Sequence, residues 1–180
     1  MQLRVISAGG TIDKIYFDAA STYAVGDPQV VPLFAEANVA FDYVVESVIR
    51  KDSLAMTAKD RALIRERVQA ASERHILITH GTDTMTATAA RLEGIADKVI
   101  VLTGSMLPAR FRASDAFFNL GCAVGALQLL PAGVYIAMNG RVSPAASVRK
   151  NRKLGRFEPV IVANGRARSS KRPKTRKSIS

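Results

Sequence analysis

The strongest constraint on this chain is a pattern that recurs along it. A short apolar run stops at a small, polar turn and is followed by a helix-compatible stretch. Ile76-Leu77-Ile78 leads into His80-Gly81-Thr82-Asp83-Thr84 and then into a run from Met85 to Leu92. Val99-Ile100-Val101-Leu102-Thr103 leads into Gly104-Ser105-Met106, and Ser114-Asp115 is placed to cap a long helix to Leu130. Leu3-Arg4-Val5-Ile6-Ser7 leads into Ala8-Gly9-Gly10-Thr11-Ile12, where paired glycines let the backbone turn sharply. Strands that are apolar on both faces and alternate with helices predict an α/β fold, a mainly parallel sheet with helices on both faces.

The remaining elements follow from local signals. Asp42 to Ile49 reads as a strand, and so does Gly133 to Met138, closed by an Asn139-Gly140 turn. Thr57 and Asp60 resemble a capping box for a helix to about Glu73, with Ile64, Val68 and Ala71 toward the sheet. Asp27-Pro28 can open a short helix to Ala37. Asp13 to Gly26 lacks a clean period and is expected to be a long mobile loop of the kind that covers a site.

Ligands of such sheets sit outside the carboxyl ends of the strands. Thr11, Ser53, Thr82, Asp83 and Ser105 all fall at such ends, which predicts a polar pocket. Thr82, Asp83 and Thr84 are also ordinary helix N-cap residues. His80 fits either a base or a structural hydrogen-bonding role at a strand end. The sequence holds no Cys–His pair at suggestive positions, no metal-ligand cluster, and no Walker or dinucleotide fingerprint. What remains is hydroxyls, one acid and lysines. A threonine hydroxyl becomes a useful nucleophile when a base takes its proton, and a lysine held by an aspartate can do so. Lys150 could supply that lysine, or it could be one solvated member of the Arg149-Lys150-Arg152-Lys153 cluster.

The chain of 180 residues suits one domain, residues 1–164, followed by a tail, residues 165–180. The net charge of +11 is concentrated: Arg166, Arg168, Lys171, Arg172, Lys174, Arg176 and Lys177 lie in the tail, leaving +4 on the rest. The tail is expected to be disordered and solvated, with contact to RNA or another polyanion as the functional alternative. The single cysteine, Cys122, rules out an internal disulfide and is expected to be a small buried thiol. No membrane span and no signal peptide are read, so a cytoplasmic protein is expected.

An ordered set of motifs then points to a family. Gly9-Gly10-Thr11-Ile12, Tyr23-Ala24-Val25-Gly26, Asp52-Ser53 with Met56, His80-Gly81-Thr82-Asp83-Thr84-Met85, Gly104-Ser105-Met106 with Pro108, and Val148-Arg149-Lys150 occur in that order. Together, from about residue 3 to about residue 160, they resemble the amino-terminal, flavodoxin-like domain of bacterial-type L-asparaginases. The resemblance implies hydrolysis of L-asparagine to aspartate and ammonia with no cofactor and no metal. It makes Thr11 the nucleophile, Tyr23 the residue that polarises it and closes over the substrate, and Thr82, Lys150 and Asp83 the second catalytic group. Ser53 would bind the substrate α-carboxylate and Asp83 its α-ammonium. Gly10, Gly81 and Thr82 would line the substrate, with oxyanion donors among the amides near Gly10 and Thr82, and Ser105 in the pocket wall. The resemblance leaves Lys153 as a nearby competitor for the lysine role, and places Leu54 where related chains often carry Gln.

The chain stops where longer members begin a second domain, so a short, single-domain form is expected. Apolar surface left at that border predicts self-association, most simply as a two-fold dimer. Two alternatives accompany the asparaginase reading: an amidohydrolase unit of a tRNA-dependent amidotransferase, and a non-catalytic domain that binds asparagine or aspartate.

Overall fold

The computed structural model describes residues 1–17 and 22–160. The tail expected at 165–180 lies outside these residues. A six-stranded sheet is built from β1 (Gln2–Ser7), β4 (Asp42–Ser47), β5 (His75–Thr79), β6 (Val99–Thr103), β7 (Gly133–Met138) and β8 (Arg141–Pro144). Its order is β4-β1-β5-β6-β7-β8. All neighbours are parallel except β8, which returns antiparallel to β7. That return is the expected Asn139-Gly140 turn, and both residues hold positive φ, 56° and 72°, as a tight hairpin of this hand requires.

Two helices cover each face. Ile64 and Val68 of α2 (Ala58–Ala70) and Met85, Ala89 and Leu92 of α3 (Met85–Leu92) pack on one side with Ile6, Ile78 and Leu102. Val30, Leu33 and Phe34 of α1 (Val30–Glu36) and Leu120, Ala123 and Leu127 of α4 (Ala116–Leu129) pack on the other with Val5, Leu77 and Val101. Alternate residues of each central strand thus enter opposite cores, which is why those strands read as unbroken apolar runs. Thr57 and Asp60 form the expected capping box. Cys122 is half-buried rather than buried, because it lies toward the flank of α4. Among the described residues, no helix is long and apolar enough to cross a membrane.

One expectation is overturned. Lys14–Phe17 (β2) and Thr22–Val25 (β3) form an antiparallel ribbon where a long loop was expected. Cross-strand aromatic contact explains it: Tyr16 faces Tyr23 with ring centroids 5.5 Å apart, edge to face. Gly26 N–H closes the base of the ribbon on the Asp13 carbonyl at 2.8 Å. A second antiparallel ribbon, β9 (Val148–Asn151) with β10 (Arg156–Pro159), follows the sheet.

Strand β1 is the point where the order reverses, since β4 lies on one side of it and β5 on the other. A crevice opens there, beyond the carboxyl ends. The register brings Ser7 level with both Ser47 and Thr79, and Thr79 level with Thr103. The turns that leave these residues are packed backbone to backbone. Gly10 has φ of +92°, and a Cβ there would sit 2.3 Å from Gly81 Cα. We expect Gly10→Ala to destabilise the protein by about 3 kcal/mol or more, because strain and overlap add. Gly94→Ala, with φ of +78° but open space around it, should cost about 1 kcal/mol. Thermal unfolding of both variants checks the difference, and equal losses would contradict the close contact.

Candidate active site

The first arm of the site is the β1 turn. Thr11 opens a single 3₁₀ turn, Thr11–Asp13, directly after Gly10. Thr11, Lys14, Tyr23, Pro108 and Phe111 line a cavity of about 230 Å³. Tyr23 reaches it from β3, 49 % exposed, and its ring lies 6.1 Å from that of Phe111. Asp13 anchors the arm from below. Its buried carboxylate accepts from Ser7 Oγ at 2.9 Å and from the Gln29 N–H at the start of α1 at 2.8 Å. Burial pushes the Asp13 carboxyl up to about 6, with the two hydrogen bonds opposing that rise.

The second arm is the β5 turn. Gly81 faces Ser53, since a Cβ on Gly81 would fall 2.6 Å from Ser53 Cβ. Ser53 is 1 % exposed and its hydroxyl is buried with no protein partner among the described residues. A buried hydroxyl in that state favours a ligand that can bond to it. Thr84 does not cap α3 with its side chain. Its hydroxyl donates instead to the Ser53 carbonyl at 2.8 Å and accepts from Arg61 at 3.0 Å. The pentapeptide is therefore more than a helix cap: it ties the β5 turn to the segment that carries Ser53.

His80 takes the structural role. It is fully buried, with Nδ1 2.7 Å from the Gly81 carbonyl and Nε2 2.7 Å from Thr88 Oγ1. The carbonyl requires a proton on Nδ1, so Nε2 accepts from Thr88 and the ring is neutral. Desolvation pushes its pKa down to about 4.

The third arm is β9. Lys150 Nζ lies 2.6 Å from Thr82 Oγ1 and 3.0 Å from Asp83 Oδ1. Its side chain is 13 % exposed, whereas Lys153 is exposed on the following turn. Of the two lysines, Lys150 is the one that contacts Thr82 and Asp83. Arg152 also reaches Asp83, with Nε 3.4 Å from Oδ1. In the sequence Arg152 stands out only as part of a basic cluster, and it lies just past the end of β9, so strand alternation gave no signal for it.

The remaining expected residues divide. Gly10 and Gly81 form the floor on which Thr11 and Thr82 sit. The Gly10 N–H donates to the Lys51 carbonyl at 3.0 Å, so it is engaged away from any oxyanion. Ser105 is buried, but its hydroxyl donates to the Leu107 carbonyl and so stitches its own turn. Asp115 caps nothing with its side chain. Its carboxylate accepts from the Met106 N–H at 2.9 Å and from Asn119 Nδ2 at 2.7 Å, which fixes the β6 turn. Among the described residues, no three His, Cys, Asp or Glu side chains gather as metal ligands.

Asp13 and His80 give opposite pH slopes. The folded protein holds a proton on Asp13 between about 3.8 and about 6 that the unfolded chain lacks. Stability therefore falls with rising pH across that window. His80 does the reverse: the unfolded chain binds a proton between about 4 and 6.5 that the folded protein excludes, so stability rises with pH there. In Asp13→Asn the His80 slope stands unopposed. The melting temperature of that variant should climb more steeply than wild type from pH 4 to 6, with a gain of roughly 2–3 kcal/mol at pH 7. Parallel pH profiles would contradict this.

Residues 2–158 match the family model of the asparaginase amino-terminal domain. A glutaminase-asparaginase of Acinetobacter glutaminasificans is 34% identical over 116 residues, 62% of this chain and 34% of that protein. A glutamyl-tRNA(Gln) amidotransferase component of Aeropyrum pernix is 35% identical over 153 residues, 76% of this chain and 34% of that protein. The structure of the thermostable L-asparaginase from Thermococcus kodakarensis superposes with a TM-score of 0.78 at 27% identity, over 89% of this chain and 51% of that chain. The chain thus spans between about a third and a half of the length of these relatives.

Proposed function

The chain belongs to the asparaginase family by its amino-terminal domain, and from that premise we propose that it hydrolyses the side-chain amide of L-asparagine to L-aspartate and ammonia without a cofactor. Thr11 Oγ attacks the amide carbon, Tyr23 polarises that hydroxyl, and ammonia leaves an acyl-enzyme. The Thr82 hydroxyl, with Lys150 as base and Asp83 orienting it, activates the water that releases aspartate. The Ser53 hydroxyl donates to the substrate α-carboxylate, Asp83 faces the α position, and Gly10 and Gly81 form the floor beneath the amide. Because Gly10 N–H is engaged, the oxyanion is assigned to the amide of Thr82. Ser105 acts by holding the wall of the pocket.

The observation that carries this reading is the Lys150–Thr82 hydrogen bond of 2.6 Å beside the ion pair to Asp83. A half-buried lysine on a threonine hydroxyl has little structural purpose that a neutral residue would not serve, but it is what proton transfer requires. The contact of Gly10 with Gly81 sets the Thr11 turn next to it.

A second reading has its own support, the 35% identity to the amidotransferase component. In that case the same threonine chemistry supplies ammonia to a partner. A non-catalytic asparagine- or aspartate-binding domain would keep the pocket without turnover. A cytoplasmic setting belongs to the proposal, consistent with the lone Cys122. So does self-association, supported by Phe117, Phe118 and Leu129 exposed on α4. Light scattering that finds a monomer at micromolar concentration would contradict that part.

Ammonia release from L-asparagine and from L-glutamine tests the chemistry. Thr11→Ala and Lys150→Met should each lose about 10²–10⁴ in kcat, with folding intact by circular dichroism. Lys153→Met should leave kcat within about threefold, since a screened surface charge contributes little. Undiminished turnover by Thr11→Ala would overturn the reading. Asparagine binding without any turnover by the wild type would favour the binding domain.

A further inference from the structure

Three walls of the cavity at Thr11 meet at Asp13 and the residue before it. The Asp13 N–H donates to the Gly10 carbonyl at 3.2 Å and closes the turn that presents Thr11. The Asp13 carbonyl accepts from Gly26 N–H at 2.8 Å and closes the base of the ribbon that carries Tyr23. The Ile12 carbonyl accepts from Ala109 N–H at 3.1 Å, which fixes the segment of Pro108 and Phe111. The proposed nucleophile, the tyrosine beside it and the aromatic wall thus diverge from residues 12 and 13, and all three line one cavity. These main-chain bonds hold relative positions only while residue 13 itself stays in place.

The buried Asp13 side chain holds it there. Its carboxylate joins Ser7, the last residue of β1, at 2.9 Å to the Gln29 N–H at the start of α1 at 2.8 Å. The Gln29 side chain continues the brace: its Oε1 accepts from Arg110 Nε at 3.1 Å, next to Phe111. The brace costs the fold stability. A carboxyl raised to about 6 by burial is ionised at neutral pH against that burial, so the folded state is weakened above that pH. An apolar residue would fill the space without this cost, but would leave the Gln29 N–H with no acceptor and the turn untethered. A buried charge that weakens the fold and orders a cavity beside it is a candidate for a role in what the cavity does.

We propose that Asp13 is a positioning residue for the reaction: it fixes the Thr11 hydroxyl relative to Tyr23 by tying the β1 turn to the base of the ribbon and to α1. The proposal rests on the amidohydrolase reading above and adds a residue to it. Asp13 does not meet the reacting amide, because its carboxylate is engaged by Ser7 and Gln29. Its effect therefore falls on kcat, with KM left to the groups that hold the substrate. Positioning requires the two hydrogen bonds and not the charge. Asp13→Asn retains both: Oδ1 accepts from the Gln29 N–H, and Nδ2 donates to Ser7 Oγ. The Ser7 proton then turns to Thr79 Oγ1, level with it on β5 and buried with no partner among the described residues.

Ammonia release from L-asparagine by the full chain, measured well below the melting temperature, tests this. Asp13→Leu, which fills the space without an acceptor, and Asp13→Ala should each lower kcat about 30- to 100-fold with KM within about threefold, the scale of a misplacement near 1 Å. Asp13→Asn should stay within about threefold of wild type in both constants. Ser7→Ala removes one of the two bonds and should lower kcat about three- to tenfold; it decides alone if neither apolar substitution at residue 13 folds. A merely structural role would move the melting temperature and leave kcat. Folded Asp13→Leu with kcat within about threefold of wild type, a loss confined to KM, an unchanged kcat in Ser7→Ala, or Asp13→Asn as slow as Asp13→Leu would overturn the proposal while leaving the hydrolase reading intact. If the wild type releases no ammonia, the hydrolase reading fails, and hydrogen exchange at Gly26 N–H decides the rest. Exchange about tenfold faster in Asp13→Leu, or in Ser7→Ala where that one does not fold, than in Asp13→Asn supports the tie; equal exchange overturns it.

Discussion

The site depends on a contact in which no side chain takes part, the Gly10 backbone against the Gly81 backbone; Gly81 in turn lies against the Ser53 side chain. Parallel strands end level but diverge in their turns, and the residues that follow them ordinarily stand apart by the width of a side chain. Removing the Cβ at both positions lets the β1 and β5 turns close on each other. Thr11 and Thr82 are each the next residue along from that contact. The hydrogen bond from Gly10 N–H to Lys51 brings in the segment that carries Ser53. Three turns from three strands are thus joined by backbone contacts, with the Thr84 hydroxyl adding a tie to the Ser53 carbonyl.

Lys150 arrives by a longer route. It lies on a two-stranded ribbon outside the main sheet, and such a ribbon is weak by itself. A chain of amide hydrogen bonds holds it. Asn119 of α4 donates to the Gly104 carbonyl and accepts from Asn139 N–H, each at 3.0 Å. Asn139 Oδ1 then accepts from Phe157 N–H at 3.0 Å, and Phe157 pairs with Lys150. Phe157 and Val148 enter the core on the α3 side, which adds apolar burial to the tether. The position of the lysine is therefore fixed from the β6 turn, through one asparagine on a helix and another in a hairpin.

The sheet was legible because its central strands face two cores and so show as unbroken apolar runs. The threonines and serines at the strand ends were legible for a related reason: topology places such ends on one edge whatever the loops do. What resisted reading were features held by tertiary contact. The β2–β3 ribbon depends on Tyr16 meeting Tyr23, a pairing with no period to betray it. Thr84 and Asp115 stand where caps belong, yet their side chains bond across the fold, to Ser53 and to the β6 turn. A local propensity rule sees the cap position and not the competing partner. Lys150 could not be separated from its basic neighbours until strand direction fixed which of them points inward.

Asp83 is where two cations of unequal exposure meet. The cation on its sheltered side, Lys150, is 13 % exposed and close to a threonine hydroxyl; the cation on its open side, Arg152, is 66 % exposed and touches nothing reactive. Solvent screening acts unequally on the two. The inner pair keeps its geometry and strength with little regard to salt, while the outer one is tuned by its surroundings.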